Sequence, residues 1–363
     1  MNLLGEHVDY NDGLVLPVAI DRQVQLAAIP GADDTVTLSA LDLNEKITFN
    51  LTDLENKKDA TGAALPGWAR YAAGVAWALQ QENLPVKGIK VAFTSNVPIG
   101  AGLSSSAAVE VGFAVLWQAL GNWKIDPLKL ARICQFAENK YVGLACGLMD
   151  QFASACGVAD HALCLDTRSL DWQAVPLPQN TAIVIADSGV RRSLTNSAYN
   201  DRRASCEQAV TLLRQYMPHI RSLRDVETTE FAAYRPYLPE EVCKRAEHVV
   251  KEIHRVNSAL SALQRNDQQA FGALMYAGHK SLRNLYEVST PELDTLVELA
   301  RNLPGAIGAR LTGAGFGGCT VNLVKLDQAE EFISGLKEGY AAATGRQAYV
   351  HLCRAYRAAH ILD

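Results

Sequence analysis

The chain has no Cys-x-x-Cys pair, no Gly-Lys dipeptide and no apolar run of the ~18 residues a membrane span needs. Each absence removes a class of function. The eight cysteines are scattered, and Cys134, Cys146, Cys156 and Cys164 lie among apolar residues. They read as reduced core thiols of a cytosolic protein, not as zinc ligands or a disulfide framework. Without Gly-Lys there is no Walker A loop, and the His-Arg-Asp and Asp-Phe-Gly triplets of protein kinases are missing too. The first residues lack the charged segment and apolar run of a signal peptide. Positive charge is in deficit, with a formal net charge of −5. That leaves no electrostatic footprint for nucleic acid and no basic patch for a membrane surface. The arginine pairs Arg191-Arg192 and Arg202-Arg203 read as solvated surface features.

What remains is an ordinary globular composition spread over 363 residues, beyond the size at which one core stops growing. Two lobes are therefore expected, 1–177 and 178–363, parting near the Pro- and Gln-rich stretch Pro176 to Gln179. Strand-like runs fall at 13–20, 23–29, 35–39 and 47–51, and later at 88–94 and 181–186. Helices are expected from Trp68 to Gln81, from the glycine-serine loop at 100–106 to Gly121, and from Asp126-Pro127 onward, where Asp caps and Pro takes the first helical position. The chain from Ala198 to Tyr286 reads as mostly helical. Ser289-Thr290-Pro291-Glu292 reads as a capping box, and the end alternates strand 319–325, helix 328–343, strand 348–353. The whole is an α+β protein with its chemistry expected where the lobes join.

The stretch Pro98-Ile99-Gly100-Ala101-Gly102-Leu103-Ser104-Ser105-Ser106-Ala107-Ala108 follows a strand and precedes an amphipathic helix. Its glycines let backbone approach a ligand closely, and its serines stand where unpaired N–H groups and the helix dipole attract an anion. On residue chemistry alone it fits a phosphate loop or a glycine turn with a serine cap. The stretch closely resembles the Pro-x-x-x-Gly-Leu-Ser-Ser-Ser-Ala motif of the GHMP small-molecule kinases. That resemblance implies ATP phosphates wrapped by Gly100, Ala101, Gly102, Leu103, Ser104, Ser105 and Ser106, with Ser106 as a Mg²⁺ ligand.

A second segment, Asn2-Leu3-Leu4-Gly5-Glu6-His7-Val8-Asp9-Tyr10-Asn11, sets two carboxylates and an imidazole within four residues. Such donors and acceptors suit a polyhydroxylated ligand, because each buried hydroxyl without a partner costs ~1–3 kcal/mol. They also suit a polar turn. The segment resembles the galactokinase signature almost residue for residue, with Val8 in place of the commoner Thr. The resemblance implies that Glu6 and His7 face the O6 side of galactose and that Asp9 bridges its O3 and O4 hydroxyls.

Two further carboxylates are candidates. Glu138 borders the apolar stripe of Ile133, Cys134, Ala137, Tyr141 and Val142, and Asp150 stands near a helix start. Cys146-Gly147-Leu148-Met149-Asp150-Gln151 resembles the family's Cys-Gly-Ile-Met-Asp-Gln segment. By that match Asp150 is the catalytic aspartate at the anomeric hydroxyl, Gly147 contacts the sugar, and Glu138 is the second Mg²⁺ ligand. Tyr199, in a segment like one whose tyrosine bonds galactose, is a further sugar ligand. Trp68, in Trp-Ala-Arg-Tyr, resembles a tryptophan that flanks adenine. Leu311-Thr312-Gly313-Ala314-Gly315-Phe316-Gly317-Gly318-Cys319 resembles the third GHMP motif, a glycine loop near the substrates.

Taken over the whole chain, the resemblance implies a two-lobed GHMP kinase fold. Its N-terminal lobe would be like domain 2 of ribosomal protein S5 and its C-terminal lobe ferredoxin-like. The implied protein is a cytoplasmic, monomeric enzyme that binds ATP, galactose and Mg²⁺, with no nucleic-acid or membrane partner. It would move the γ-phosphate of ATP to the anomeric hydroxyl of galactose. A galactose- and ATP-binding regulator without turnover is an alternative, as is a kinase for N-acetylgalactosamine or galacturonate. In the family an arginine near the transferred phosphate precedes the Val-Asn-Leu of the signature, whereas this chain opens at Met1-Asn2. The expectation is therefore that the natural protein starts upstream and that the chain from Met1 turns over slowly.

Overall fold

The structure is a computed structural model describing residues 1–98, 102–144, 146–191 and 195–362, without the side chains of 195–197. Among the described residues the first part of the chain forms strands β1 (Asn2–Leu4), β2 (Leu14–Pro17), β3 (Val24–Pro30), β4 (Thr35–Ala40) and β5 (Glu45–Asn50). Helix α1 (Ala69–Gln81), strand β6 (Ile89–Ser95) and helices α2 (Ser105–Gly121), α3 (Pro127–Phe136) and α4 (Met149–Cys156) follow. Then come β7 (His161–Asp166), β8 (Trp172–Pro176), β9 (Thr181–Asp187), α5 (Thr195–Leu213) and α6 (Thr228–Tyr234). The chain ends with α7 (Glu240–Gln264), α8 (Gln268–Ser281), α9 (Pro291–Arg301), β10 (Ala306–Thr312), β11 (Cys319–Lys325), α10 (Ala329–Thr344) and β12 (Tyr349–Cys353).

Local chemistry accounts for several boundaries. Asp126 caps α3 by accepting from the amides of Leu128 (2.9 Å) and Lys129 (3.1 Å), with Pro127 in the first turn. The capping box expected at Ser289–Glu292 does not form. Thr290 is the cap residue instead and accepts from Leu293 N–H, while Ser289 donates to Asp294 Oδ1 at 2.6 Å. With Thr290 as cap, the third helical residue is an apolar leucine, which cannot reach back. Trp68, expected to begin α1, is its capping residue.

The chain packs as two compact units. One comprises residues 1–18, 99–103 and 158–356, the other 19–98, 104–157 and 357–363. This division does not follow the expected boundary at 177. The physical reason is that the sheet β1-β2-β7-β8 is tied to the later part of the chain: Asn2 and Thr312 bond in both directions, Glu252 accepts from Gly5 N–H, and Arg310 pairs with Glu6. Strands β7, β8 and β10 were not foreseen from the sequence.

The first unit also holds the sheet β10-β11-β9-β12, antiparallel throughout. Its two central strands are almost wholly buried. Val184, Ala186, Leu296, Val297, Phe332, Leu336 and Tyr340 form a core beneath it. The second unit holds the sheet β3-β6-β4-β5, in which β4 and β6 run parallel. Helices α1 and α2 belong to this unit, and Phe113 and Trp117 of α2 lie fully in its core. None of the eight cysteines is in a disulfide, and Cys134, Cys156 and Cys164 are buried. Among the described residues no helix is long and apolar enough to cross a membrane.

Candidate active site

The second unit gathers the end of the glycine-serine loop and a group of buried carboxylates. Ser104 takes a left-handed conformation (φ 60°) as the residue before α2, and its side chain does not cap the helix. Ser105 and Ser106 fill the first turn. Gly100 and Ala101 lie outside the described residues. Glu138 sits on a π-helical turn, Ala137–Val142, whose widened backbone ends at Gly143 in the left-handed region. Its carboxylate is buried, and the Ser106 side chain lies near enough to act against the effect of that burial on its acidity. The same carboxylate accepts from Cys146 Sγ at 3.0 Å and from Gln151 Nε2 at 2.6 Å. Asp150 and Gln151 lie in the first turn of α4, whose capping residue is Leu148. Expected candidates Ser106, Glu138 and Asp150 thus share one neighbourhood.

Sequence reasoning missed Glu110 in that neighbourhood. It sits on the buried face of α2 with Ala107, Val111, Phe113 and Ala114, and is itself fully buried. Gln151 Nε2 reaches both carboxylates, at 2.9 Å to Glu110 and 2.6 Å to Glu138. Burial pushes Glu110 well above the usual carboxylate range and raises Glu138 too, and the charge of Asp150 adds to both. Among the described residues the bonding partners of these two carboxylates are an amide and a thiol, neither of them cationic. Glu110 Oε1 is buried and has no hydrogen bond among the described residues. The signal available in the sequence was a charged residue on an apolar stripe. Trp68, by contrast, is tied by its indole N–H to Glu45 (2.5 Å), and its ring lies 5.9 Å from Phe93.

The first unit holds the signature and the third motif. Gly5 bends with φ +100°, and a Cβ there would come within 2.8 Å of Leu14 O, so glycine is required. Glu6 is buried against Arg310 (2.5 Å) and accepts from Asn2 Nδ2 (3.0 Å) and Gly313 N–H (3.2 Å). Arg310 also reaches Glu252 (3.0 Å), which accepts from Gly5 N–H (2.9 Å) and is paired with Arg255. Burial pushes Glu6 up to about 7 against the pull of Arg310, whereas Arg255 and Arg310 together overcome burial and hold Glu252 well below the carboxylate range.

His7 lies between Tyr10 Oη (2.8 Å at Nδ1) and Ala314 O (3.2 Å at Nε2). Tyr199 of α5 stands 5.6 Å from both the His7 and Tyr10 rings, so this expected sugar residue does join the signature. Asp9 is half-buried, and its backbone carbonyl accepts from the Thr167 hydroxyl (3.1 Å). The glycine loop is held by Phe316 N–H to Val288 O (2.7 Å) and Gly318 N–H to Val190 O (3.0 Å). A Cβ on Gly315 would meet Val288 O at 2.3 Å.

Residues 1–30 match the galactokinase galactose-binding signature. Residues 70–158 match the N-terminal domain of GHMP kinases and 259–342 the C-terminal domain. A galactokinase of Roseiflexus sp. (strain RS-1) is 46% identical over 98% of this chain and 89% of its own. The chain belongs to the galactokinase family of the GHMP kinases. Another galactokinase, from Chloroflexus aurantiacus (strain ATCC 29366 / DSM 635 / J-10-fl), is 43% identical over 98% of this chain and 90% of its own. The solved galactokinase of Lactococcus lactis complexed with galactose superimposes with a TM-score of 0.91 at 34% identity, covering 98% of this chain and 92% of that one. The α+β fold expected from the sequence is thus the galactokinase fold, and the chain is an ATP-dependent sugar kinase of that family.

Proposed function

We propose that the chain transfers the γ-phosphate of ATP to the anomeric hydroxyl of galactose, giving galactose 1-phosphate and ADP in the cytoplasm as a monomer. The observation that carries this is the match of residues 1–30 to the galactose-binding signature. It is supported by a serine-rich helix start beside buried acidic side chains.

In this reading the loop at 100–106 and the first turn of α2 cradle the phosphates with backbone N–H groups, and Trp68 flanks the adenine. Asp150 accepts or orients the proton of the acceptor hydroxyl, aligning it for in-line transfer. Asp9, Gly147 and Tyr199 bind galactose. Glu6 and His7 stand at its O6 side, where Glu6 already accepts from Gly313 N–H and both nitrogens of His7 already have partners.

Ser106 and Glu138 would hold Mg²⁺. Their hard oxygen donors suit the ion, and two raised carboxylates whose bonding partners among the described residues are neutral favour a cation. When bound with ATP, magnesium supplies charge neutralisation at the phosphates.

The test is a coupled ADP-release assay over a sugar panel. Turnover with galactose well above that with N-acetylgalactosamine, galacturonate or glucose is expected. Tight ATP and galactose binding without ADP release would replace the reading with a sensor. Preference for another sugar would replace the substrate.

A further inference from the structure

The signature and the glycine loop meet at two consecutive residues on each side. Glu6 accepts the Gly313 N–H at 3.2 Å, and His7 Nε2 lies 3.2 Å from Ala314 O. A carbonyl oxygen can only accept, so that contact requires a proton on Nε2. His7 Nδ1 lies 2.8 Å from Tyr10 Oη, which in turn lies 2.7 Å from Tyr286 Oη. Cys206 Sγ is 3.4 Å from Tyr286 Oη. Tyr10 Oη and Ala314 O, the groups at these two nitrogens, are a phenol and a carbonyl and carry no charge. A neutral imidazole protonated at Nε2 must accept at Nδ1, and this sets the direction of every bond behind it. Tyr10 donates to His7, Tyr286 donates to Tyr10, and the Cys206 thiol donates to Tyr286. Burial pushes both tyrosines well above their usual range, which keeps both hydroxyls as donors.

We propose that the Tyr10–Tyr286 hydroxyl pair fixes the His7 proton on Nε2, and that His7 and Glu6 thereby clasp the glycine loop at Gly313–Ala314. His7, Tyr10 and Tyr286 are then positioning residues for the loop, whatever His7 contributes to the sugar. His7 takes φ 62°, an uncommon conformation for a side chain of its size, which aims the ring at the loop while the backbone turns away. Its carbonyl is tied by Asn11 Nδ2 at 3.0 Å, so the turn cannot relax without breaking a buried bond. Tyr286 is fully buried and also within 4.6 Å of the His7 ring, centroid to centroid, so the pair is held by packing as well as by hydrogen bonds. The clasp itself needs no bound substrate. Its expected effect on galactose affinity rests on the function proposed above.

The experiment is nitrogen-15 NMR of the histidine side chains, with His7 assigned by its loss in His7→Gln, and amide exchange over residues 311–318. Wild type should show His7 as the neutral Nε2-H tautomer. Tyr286→Phe and Tyr10→Phe should each shift His7 toward a mixture of tautomers. Each should also speed exchange at the Gly313 amide roughly tenfold, the worth of about one net hydrogen bond. His7→Ala should speed it at least as much, and His7→Gln, which keeps a donor near Nε2, should recover part of the protection. The galactose KM should rise in the phenylalanine variants while the ATP KM holds. A His7 that is Nδ1-H or doubly protonated in wild type overturns the proposal. So does loop protection unchanged in both phenylalanine variants. Neither readout needs turnover, so a chain inactive on galactose would sink the proposed substrate and leave the clasp to be judged by NMR.

Discussion

Two buried acidic groups in this chain are built on opposite charge plans. In the first unit Glu6 and Glu252 face two guanidiniums, Arg310 and Arg255. In the second unit Glu110 and Glu138 share the amide of Gln151 and lie within the influence of Asp150. The acidity of each carboxylate follows the number of cations it touches. Glu252, with two arginines, is held well below the ordinary range; Glu6, with one, rises to about 7; Glu110 and Glu138, whose bonding partners are neutral, are raised. Burial acts on all four in the same direction. The balanced group is therefore complete as folded, while the unbalanced group gains from any cation delivered to it. A structural strut and a site waiting for a charge can thus be told apart by counting partners.

The sharpest way to break this contrast is at Asp150. Asp150→Asn should lower kcat by ~10²–10⁴-fold and leave ATP affinity nearly intact, as read by steady-state kinetics and nucleotide titration. Retention of more than about a tenth of kcat would show that the unbalanced group does not serve the acceptor hydroxyl. Next in size is Arg310→Met, which strands Glu6 and Glu252 in the interior. A loss of ~3–5 kcal/mol in urea denaturation is expected, since removing one partner leaves buried charge uncompensated. Asp9→Ala should weaken galactose by ~2–4 kcal/mol in KM with the ATP KM little changed, because the carboxylate proposed to accept two hydroxyls is lost. Equal losses for both substrates would make Asp9 structural.

Glu138→Gln should do the reverse of Arg310→Met. It should leave the metal-free protein as stable as wild type or slightly more so, while removing most of the rise in Tm on adding Mg²⁺ with ADP. A large destabilisation without metal would mean that the second group is balanced after all.

The smallest effect is a pH dependence. Glu6 has a folded pKa of about 7, above its ordinary value of 4.5. Its contribution to stability is thus fully present below about 4.5 and is lost as pH rises through 7. Unfolding free energy should fall by about 1–3 kcal/mol between pH 5 and 8 relative to Glu6→Gln. Parallel curves for the two proteins would place the Glu6 proton elsewhere.

Much of this was readable in the sequence, and the unread part has a common cause. Short-range chemistry is carried by adjacent residues, so the Asp126-Pro127 start of α3 and the runs that became β3, β4, β9 and β11 were legible. The neighbourhood of Ser106, Glu138 and Asp150 was legible through motif resemblance. Long-range pairing was not. Nothing near Leu14 announces Asp166 as its strand partner, nor does anything near Asn2 announce Thr312, and such ties decide how the chain divides. Arg310 has no local mark either; between Ala309 and Leu311 in a buried strand it looks like an ordinary interruption until Glu6 and Glu252 arrive from 304 and 58 residues away. Glu110 was the one missed residue with a local mark, a charge on the buried face of an apolar helix.

The pairing of β2 with β7 has a consequence for how the protein is made. The β1–β2 hairpin leaves the ribosome before the second unit, yet its neighbour in the sheet begins at His161, 144 residues after Pro17. At ~5–20 residues per second the hairpin waits roughly 7–30 s for its third strand. Residues 19–157, which make up most of the second unit, emerge during that interval and can collapse on their own core. The first unit is thus opened before most of the other is made and closed only after it has been delivered. Slower translation between Pro17 and His161 should therefore leave Leu3, Leu4, Val15 and Leu16, all fully buried in the finished fold, exposed for longer on the nascent chain.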